Sequence, residues 1–249
     1  MRAKWKAGRT KLVSFSGIDG AGKSTQIEAL LKQLEQNGRT VVLFRFWDDI
    51  AMLTRLREAT GHTLFKGDEG IGTPDAPIER RDKNVTSWAM TGVRLFIYFL
   101  DAISARRAVK KAMCSEADLA IFDRYTYDEL ANLELSNPAI RIYVHLIMTL
   151  VPRPDISYLL DADPEKARAR KPEYPLEFLR ANRKSYLDLS KLVGGMTVID
   201  PLPVCDVRSA VLKHAIEGLT FRASPHTCGA SKANDSAGSE IATLDGPKN

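Results

Sequence analysis

The residues with the most definite chemistry lie near the N-terminus. Gly17-Ile18-Asp19-Gly20-Ala21-Gly22-Lys23-Ser24 matches the phosphate-binding pattern GxxxxGK[ST] in full. Each residue type there has a physical reason. Gly17, Gly20 and Gly22 allow backbone angles and close approaches that a side chain would block. Successive backbone N–H groups, from Gly20 and Ala21 on to Thr25, can then point inward around a phosphate. A helix opening near Ser24 adds the positive end of its dipole. Lys23 is expected to reach the β- and γ-phosphates of ATP, and the Ser24 hydroxyl to ligate Mg²⁺.

A second group follows an apolar stretch at Leu119–Phe122: Asp123-Arg124-Tyr125. A carboxylate at that place, in a chain with a P-loop, suits a metal-side acid near Mg²⁺. The alternative is a helix N-cap. Arg124 beside it is placed to hold an acceptor phosphate with two parallel hydrogen bonds. Asp161 is the rival acid, although Asp161-Ala162-Asp163-Pro164 looks more like a helix start with proline in the first turn. The third group is Arg168, Arg170 and Lys171, just before the stiff Pro172-Glu173-Tyr174-Pro175 turn. Mobile arginines can close over a transferring phosphoryl group and neutralise its charge. The plain alternative is a solvated basic face. No guanine-reading NKxD element and no LSGGQ-like signature is present, which argues against a GTPase switch and a transport ATPase.

These groups need a scaffold, and the chain spells one. Apolar runs at Leu12–Phe15, Thr40–Phe46, Leu119–Phe122, Ile156–Leu160 and Met196–Ile199 read as strands, apolar along most of their length as in a sheet covered on both faces. Between them lie helical patterns. Ser24 to Asn37 repeats Ile27, Leu30, Leu31 and Leu34, with Gly38 as a stop. A long helix begins near Val93 and lines up Leu95, Tyr98, Phe99, Ala102, Val109 and Met113. Leu176 to Val193 and Val207 to Leu219 complete the set. Alternation of this kind predicts an α/β domain with a parallel sheet and crossover helices.

Composition sets the outer bounds. The chain has 249 residues, 44% hydrophobic and 27% charged, which suits one substantial globular domain. The net charge of +5 is concentrated in Arg2, Lys4, Lys6, Arg9 and Lys11. Residues 1–10 therefore read as a solvated basic arm, with no nucleic-acid partner expected. No signal peptide is expected, and no membrane association, because the longest apolar run, Ile142–Val151, is about half a span and contains His145. Cys114, Cys205 and Cys228 form no CxxC pair, consistent with a cytoplasmic protein without disulfides or zinc. Residues 48–85 are polar and rich in glycine and proline, with one helix expected around Ala51–Ala59. Residues 222–249 are expected to be disordered.

With these residues in view, the chain resembles the thymidylate kinase family. Phe15-Ser16-Gly17-Ile18-Asp19-Gly20-Ala21-Gly22-Lys23-Ser24-Thr25-Gln26 is similar to that family's P-loop. Asp123-Arg124-Tyr125 is similar to its DRY/DRH motif, and the run from Arg153 to Pro164, RPDISYLLDADP, to its RPDLTLYLDVDP strand. The likeness extends, with gaps, from about Lys11 to Leu219. It implies a three-layer P-loop NTPase kinase fold with a five-stranded parallel sheet over residues 11–221, and a lid at 165–175. It implies transfer of the ATP γ-phosphate to dTMP, a small-molecule nucleotide acceptor, by a homodimer. Asp19 would contact the sugar 3′-hydroxyl. Gly20 stands where some members carry a P-loop arginine, so Arg168 and Arg170 in the lid would be the catalytic arginines. Phe99, with Tyr98 beside it, would stack the base, the alternative being helix core. Of the family's Arg-Glu-Pro-Gly-Gly-Thr segment only Arg45 has a counterpart, and Arg106 is the nearest candidate for the arginine on the helix of Phe99. Asp128-Glu129 replaces the usual residues after the DRY motif. Two rival readings share the P-loop: a kinase of another nucleotide or a nucleoside, with Asp19 or Asp128 as base, and a nucleotide-binding regulatory protein without turnover.

Overall fold

The computed structural model describes residues 10–51 and 88–219. The basic arm up to Arg9, the expected helix near Ala51–Ala59, the polar segment from Met52 to Val85 and the C-terminal tail lie outside the described residues.

Five strands form one parallel sheet: β1 (Lys11–Ser16), β2 (Val41–Arg45), β3 (Leu119–Asp123), β4 (Ile156–Leu160) and β5 (Thr197–Ile199). Their spatial order is β2-β3-β1-β4-β5, so β1 is central. It pairs with β3 on one side, Phe15 opposite Asp123, and with β4 on the other, Ser16 opposite Leu159. The chain steps outward in opposite directions from β1. The crevice beyond the carboxyl ends of β1, β3 and β4 is therefore where such a sheet receives ligands.

Helices cover both faces. On one lie α1 (Lys23–Gln36) and the last helix, α7 (Val204–Gly218). Ile27, Leu30 and Leu34 of α1 and Val207, Val211 and Ala215 of α7 pack on Val13, Phe15, Ile121, Tyr158 and Leu160 of the sheet. The other face carries α2 (Trp88–Cys114), α4 (Pro138–Leu150) and α6 (Leu176–Val193), with the short α3 (Thr126–Leu130) at the end of β3. There Ala102, Val109, Val144, Ile147, Leu179 and Leu189 pack on Leu12, Ala120, Phe122 and Leu159. The strands alternate their side chains between these two cores, which is why they read as continuous apolar runs.

The sequence expectations for the five strands and for α1, α2, α6 and α7 agree with these elements to within a few residues. Three local differences have clear causes. Ile142–Val151, expected only as an apolar run, belongs to helix α4, capped by the Asn137 side chain on the Ala139 N–H with Pro138 in the first turn. The second strand stops at Arg45 because Phe46–Ile50 forms a π-helical turn, in which the Asp49 carboxylate takes the Arg45 N–H at 2.7 Å. Phe99 faces outward at 37% exposure, while Tyr98 and Ala102 turn into the core. Gly38 adopts φ 68° and closes α1, as expected of a left-handed stop.

Candidate active site

The loop between β1 and α1 carries the phosphate motif. Gly20 and Gly22 adopt φ 80° and 89°, angles that L side chains rarely take. Gly20 has a second reason to be glycine. A Cβ there would lie 2.3 Å from the Ala167 carbonyl oxygen, on helix α5 (Pro164–Arg170). The short helix α5 thus rests directly on the loop. Gly17 is similarly tight, with the Leu160 carbonyl oxygen 2.5 Å from such a Cβ.

Lys23 is buried, and its ammonium donates to the carbonyls of Gly17 (2.8 Å) and Ile18 (3.0 Å). Burial, with the Arg124 cation nearby, brings it down to about 8, against the opposing pull of Asp19, Asp128 and Asp123. A lysine so little solvated is poised to take an anion. Ser24 and Thr25, next along, are exposed at the start of α1.

Arg124 is the one described non-glycine residue with a left-handed backbone, φ 69°. Such a conformation costs about 1–2 kcal/mol. Here it turns the chain sharply at the end of β3, while the Arg124 N–H donates to Phe15 on the central strand. The guanidinium then lies between two carboxylates. It pairs closely with Asp19 of the P-loop, and its other terminal nitrogen is 3.6 Å from Asp128. Burial pushes the Asp19 carboxyl up, but Arg124, Lys23 and Lys171 more than offset that and hold it below its ordinary value. Asp128 is itself fully engaged. It accepts from the Ser16 hydroxyl (2.6 Å), the Tyr125 N–H (3.0 Å) and the Tyr186 hydroxyl (2.8 Å). Burial, reinforced by the Asp128 carboxylate, drives the Tyr186 phenol well above the usual range.

These residues open onto a cavity of about 960 Å³. Asp19, Lys23, Ser24, Asp123, Arg124 and Arg170 are all on its wall, so the structure brings the three sequence groups together. Arg170 reaches toward the P-loop, its Nη1 being 3.9 Å from where a Gly22 Cβ would stand. Arg168 does not join it; it lines a separate recess with Glu165 and Leu176 on the other side of α5. Arg45 is exposed at the end of β2, in register with Asp123. Tyr98 packs in the core, and Arg106 donates to the Leu150 carbonyl (3.0 Å), tying α2 to α4. Neither they nor Phe99 and Arg45 are on the cavity wall.

The two acidic candidates separate clearly. Both oxygens of Asp161 are taken by Arg183 of α6, at 2.6 Å each. The next helix is capped instead by Asp163, whose carboxylate takes the Glu165 N–H with Pro164 in the first turn. Asp123 has no such cation bonded to it among the described residues and acts on Lys23 through space. Sequence reasoning did not single out Arg183 as a site residue or Tyr186 beyond a core position. Their i, i+3 spacing puts both on the face of α6 toward the site, but only the fold shows what they meet. It also did not single out Lys166 or the Pro201–Val204 turn, which complete the wall.

Comparison with known proteins adds family evidence to this geometry. A family model described as methylmalonyl Co-A mutase-associated GTPase MeaB matches residues 1–45, a stretch that ends with β2 and contains little beyond the phosphate loop and its flanks. Matches to thymidylate kinases are far longer. The chain is 30% identical over 189 residues to the thymidylate kinase of Bifidobacterium longum subsp. infantis, covering 72% of this chain and 73% of that one. It is also 30% identical over 189 residues to the probable thymidylate kinase of Pyrobaculum aerophilum, covering 70% and 80%. The probable thymidylate kinase of Methanosphaera stadtmanae is 26% identical over 212 residues, 82% of this chain and 96% of the relative. Among solved structures, the thymidylate kinase of Ehrlichia chaffeensis superposes with a TM-score of 0.51 at 21% identity, over 82% of this chain and 97% of that one, and shares the fold.

Proposed function

The chain belongs to the thymidylate kinase family, and on that premise we propose that it transfers the γ-phosphoryl group of ATP to dTMP, giving dTDP and ADP. The observation that carries this reading is the placement of Arg124. It shares one crevice with the P-loop, beside Asp19 and opposite Lys23, so donor and acceptor phosphates can meet there.

Each residue then has a task. The N–H groups of the loop and the first turn of α1 hold the ATP phosphates. Lys23 leaves the Gly17 and Ile18 carbonyls for the β- and γ-phosphates. Arg124 grips the acceptor phosphate, and Asp19 is the partner that gives way, free to meet the sugar 3′-hydroxyl. Arg170, from the lid helix resting on Gly20, neutralises charge on the phosphoryl group in flight. Arg168 sits on another face of the same helix, lining a separate recess, and is given no part in the transfer.

The residues present also fit Mg²⁺. Ser24 offers an exposed hydroxyl and Asp123 a carboxylate with no bonded cation among the described residues, on one cavity wall, and a magnesium ion bound through one or two protein oxygens plus phosphates is the usual arrangement. Held there, the ion would screen the phosphate charges. No general base is required, since a phosphate monoester is already mostly dianionic near neutral pH. Asp128 is buried and already accepts from three donors, which disfavours it as a base.

For the base, Phe99, whose exposed ring stands on α2, is proposed as the stacking surface, with Arg45 on the acceptor side; Tyr98, packed in the core, is not available for that role. Comparing kcat/KM for dTMP, dUMP, dCMP, dAMP and thymidine tests the reading. We expect dTMP first, with its pyrimidine analogues within roughly 10- to 200-fold, the range of an apolar slot. A preference for thymidine over every monophosphate would contradict it.

A further inference from the structure

Arg124 is held on two edges by carboxylates that differ in kind. Asp19 is on the P-loop and its side chain is 20% exposed to the cavity. Asp128 is 4% exposed and fixed from three directions: Ser16 at the end of β1, the Tyr125 N–H at the end of β3, and Tyr186 on α6. An entering phosphate can compete with Asp19 for the guanidinium, but it cannot dislodge Asp128. We propose that Asp128 is a positioning residue for phosphoryl transfer: a buried anchor that keeps the strained Arg124 aimed at the acceptor phosphate once Asp19 has let go. The proposal rests on the reading of Arg124 as the acceptor-phosphate ligand.

The argument has two parts. First, a left-handed arginine at a strand end is not held by its backbone preference, so something else must over-determine it. Second, the only described acidic side chains within ion-pair distance of it are Asp19 and Asp128. When the first is exchanged for substrate, the second alone restrains the guanidinium. The three donors to Asp128 restrain it in turn, and Tyr186 bonds the same oxygen that faces Arg124.

Asp128→Asn separates the two roles of this side chain. Its amide oxygen can take the place of Oδ2 and still accept from Ser16 and the Tyr125 N–H, preserving the cap of α3. Its NH₂ then faces Arg124, donor against donor, and the anchor is gone. The experiment is calorimetric binding of dTMP and of thymidine to the full-length protein, with wild type as reference. Wild type should bind dTMP more tightly than thymidine; equal binding would refute the role of Arg124 itself, independently of Asp128. In Asp128→Asn we expect dTMP to weaken about tenfold or more, as when one partner of a buried ion pair is removed, with thymidine unchanged. A merely structural role would weaken both ligands together, and that result, or no change in dTMP binding, would overturn the proposal. Tyr186→Phe gives an independent reading should Asp128→Asn fold poorly: a roughly threefold loss for dTMP alone is expected, and a parallel loss for thymidine, or none for dTMP, would count against it.

Discussion

Lys23 gives a prediction whose size follows from its surroundings. Without nucleotide it is buried against two carbonyls and titrates near 8. In contact with phosphates it should stay protonated well above that, because two anions favour the charged form. Nucleotide binding must then take up protons. At pH 8 about half of the free lysines are neutral, so roughly 0.5 proton should be absorbed per ATP bound. Affinity should be nearly flat below pH 7.5 and fall about tenfold per unit above 8, giving a loss of roughly 25-fold between pH 7.5 and 9.5. Phosphate titration does not confuse this window, since its second pKa is near 6. Calorimetry at pH 8 in buffers of different ionisation enthalpy measures the uptake directly. Lys23→Arg should abolish both the uptake and the slope, because arginine does not titrate there. Zero uptake by wild type, with flat affinity to pH 9.5, would refute the account of Lys23. The same shift has a sign for stability. The folded value lies below the unfolded 10.5, so the unfolded chain binds more protons between about 8 and 10.5, and this group makes the free protein more stable as pH rises through that interval.

Four further substitutions test the packing of the site. Gly20→Ala adds a methyl 2.3 Å from the Ala167 carbonyl at φ 80°, so we expect a loss of about 2 kcal/mol or more, a Tm drop of roughly 4–8 °C and a fall in kcat as α5 is levered off the loop; an unchanged Tm would show that α5 does not rest there. Arg170→Ala should cut kcat by about 100-fold or more, while Arg168→Ala, outside the cavity, should leave it within roughly threefold; equal losses would contradict the placement of the two arginines. Arg183→Met strands the Asp161 carboxylate beside the phosphate site, so the KM for ATP should rise, with about 1–2 kcal/mol lost in stability and the KM for dTMP little changed; an unaltered KM for ATP would show that Asp161 does not face the nucleotide.

Much of this was legible in the sequence where local rules decide the outcome. The P-loop announced both its conformation and its context, because glycine spacing, strand and helix all lie within a few residues of one another. The five strands were legible because a doubly covered sheet needs unbroken apolar runs. Helix α4 was less so. Its Asn137-Pro138 start is a sound signal, but its apolar pattern is dense enough to look like an undivided run. The polar network around Arg124 was legible only in part. Asp123 and Arg124 stand together in the chain, whereas Asp128, Tyr186 and Ser16 come from three different elements. Likewise Arg183 and Asp161 are 22 residues apart, and only the packing of α6 beside β4 makes them a pair. Which of Arg168 and Arg170 faces the cavity is set by the half turn of α5 between them, not by their type.

The most direct test of the central claim is the fate of the phosphoryl group. Full-length protein is incubated with γ-labelled ATP, Mg²⁺ and dTMP, and the products are separated. The account predicts label in the β-phosphate of dTDP, in one-to-one amount with the ADP released, and its near-complete loss with Lys23→Ala or Arg124→Ala. Label found only in inorganic phosphate, or ADP released without labelled dTDP, would contradict it.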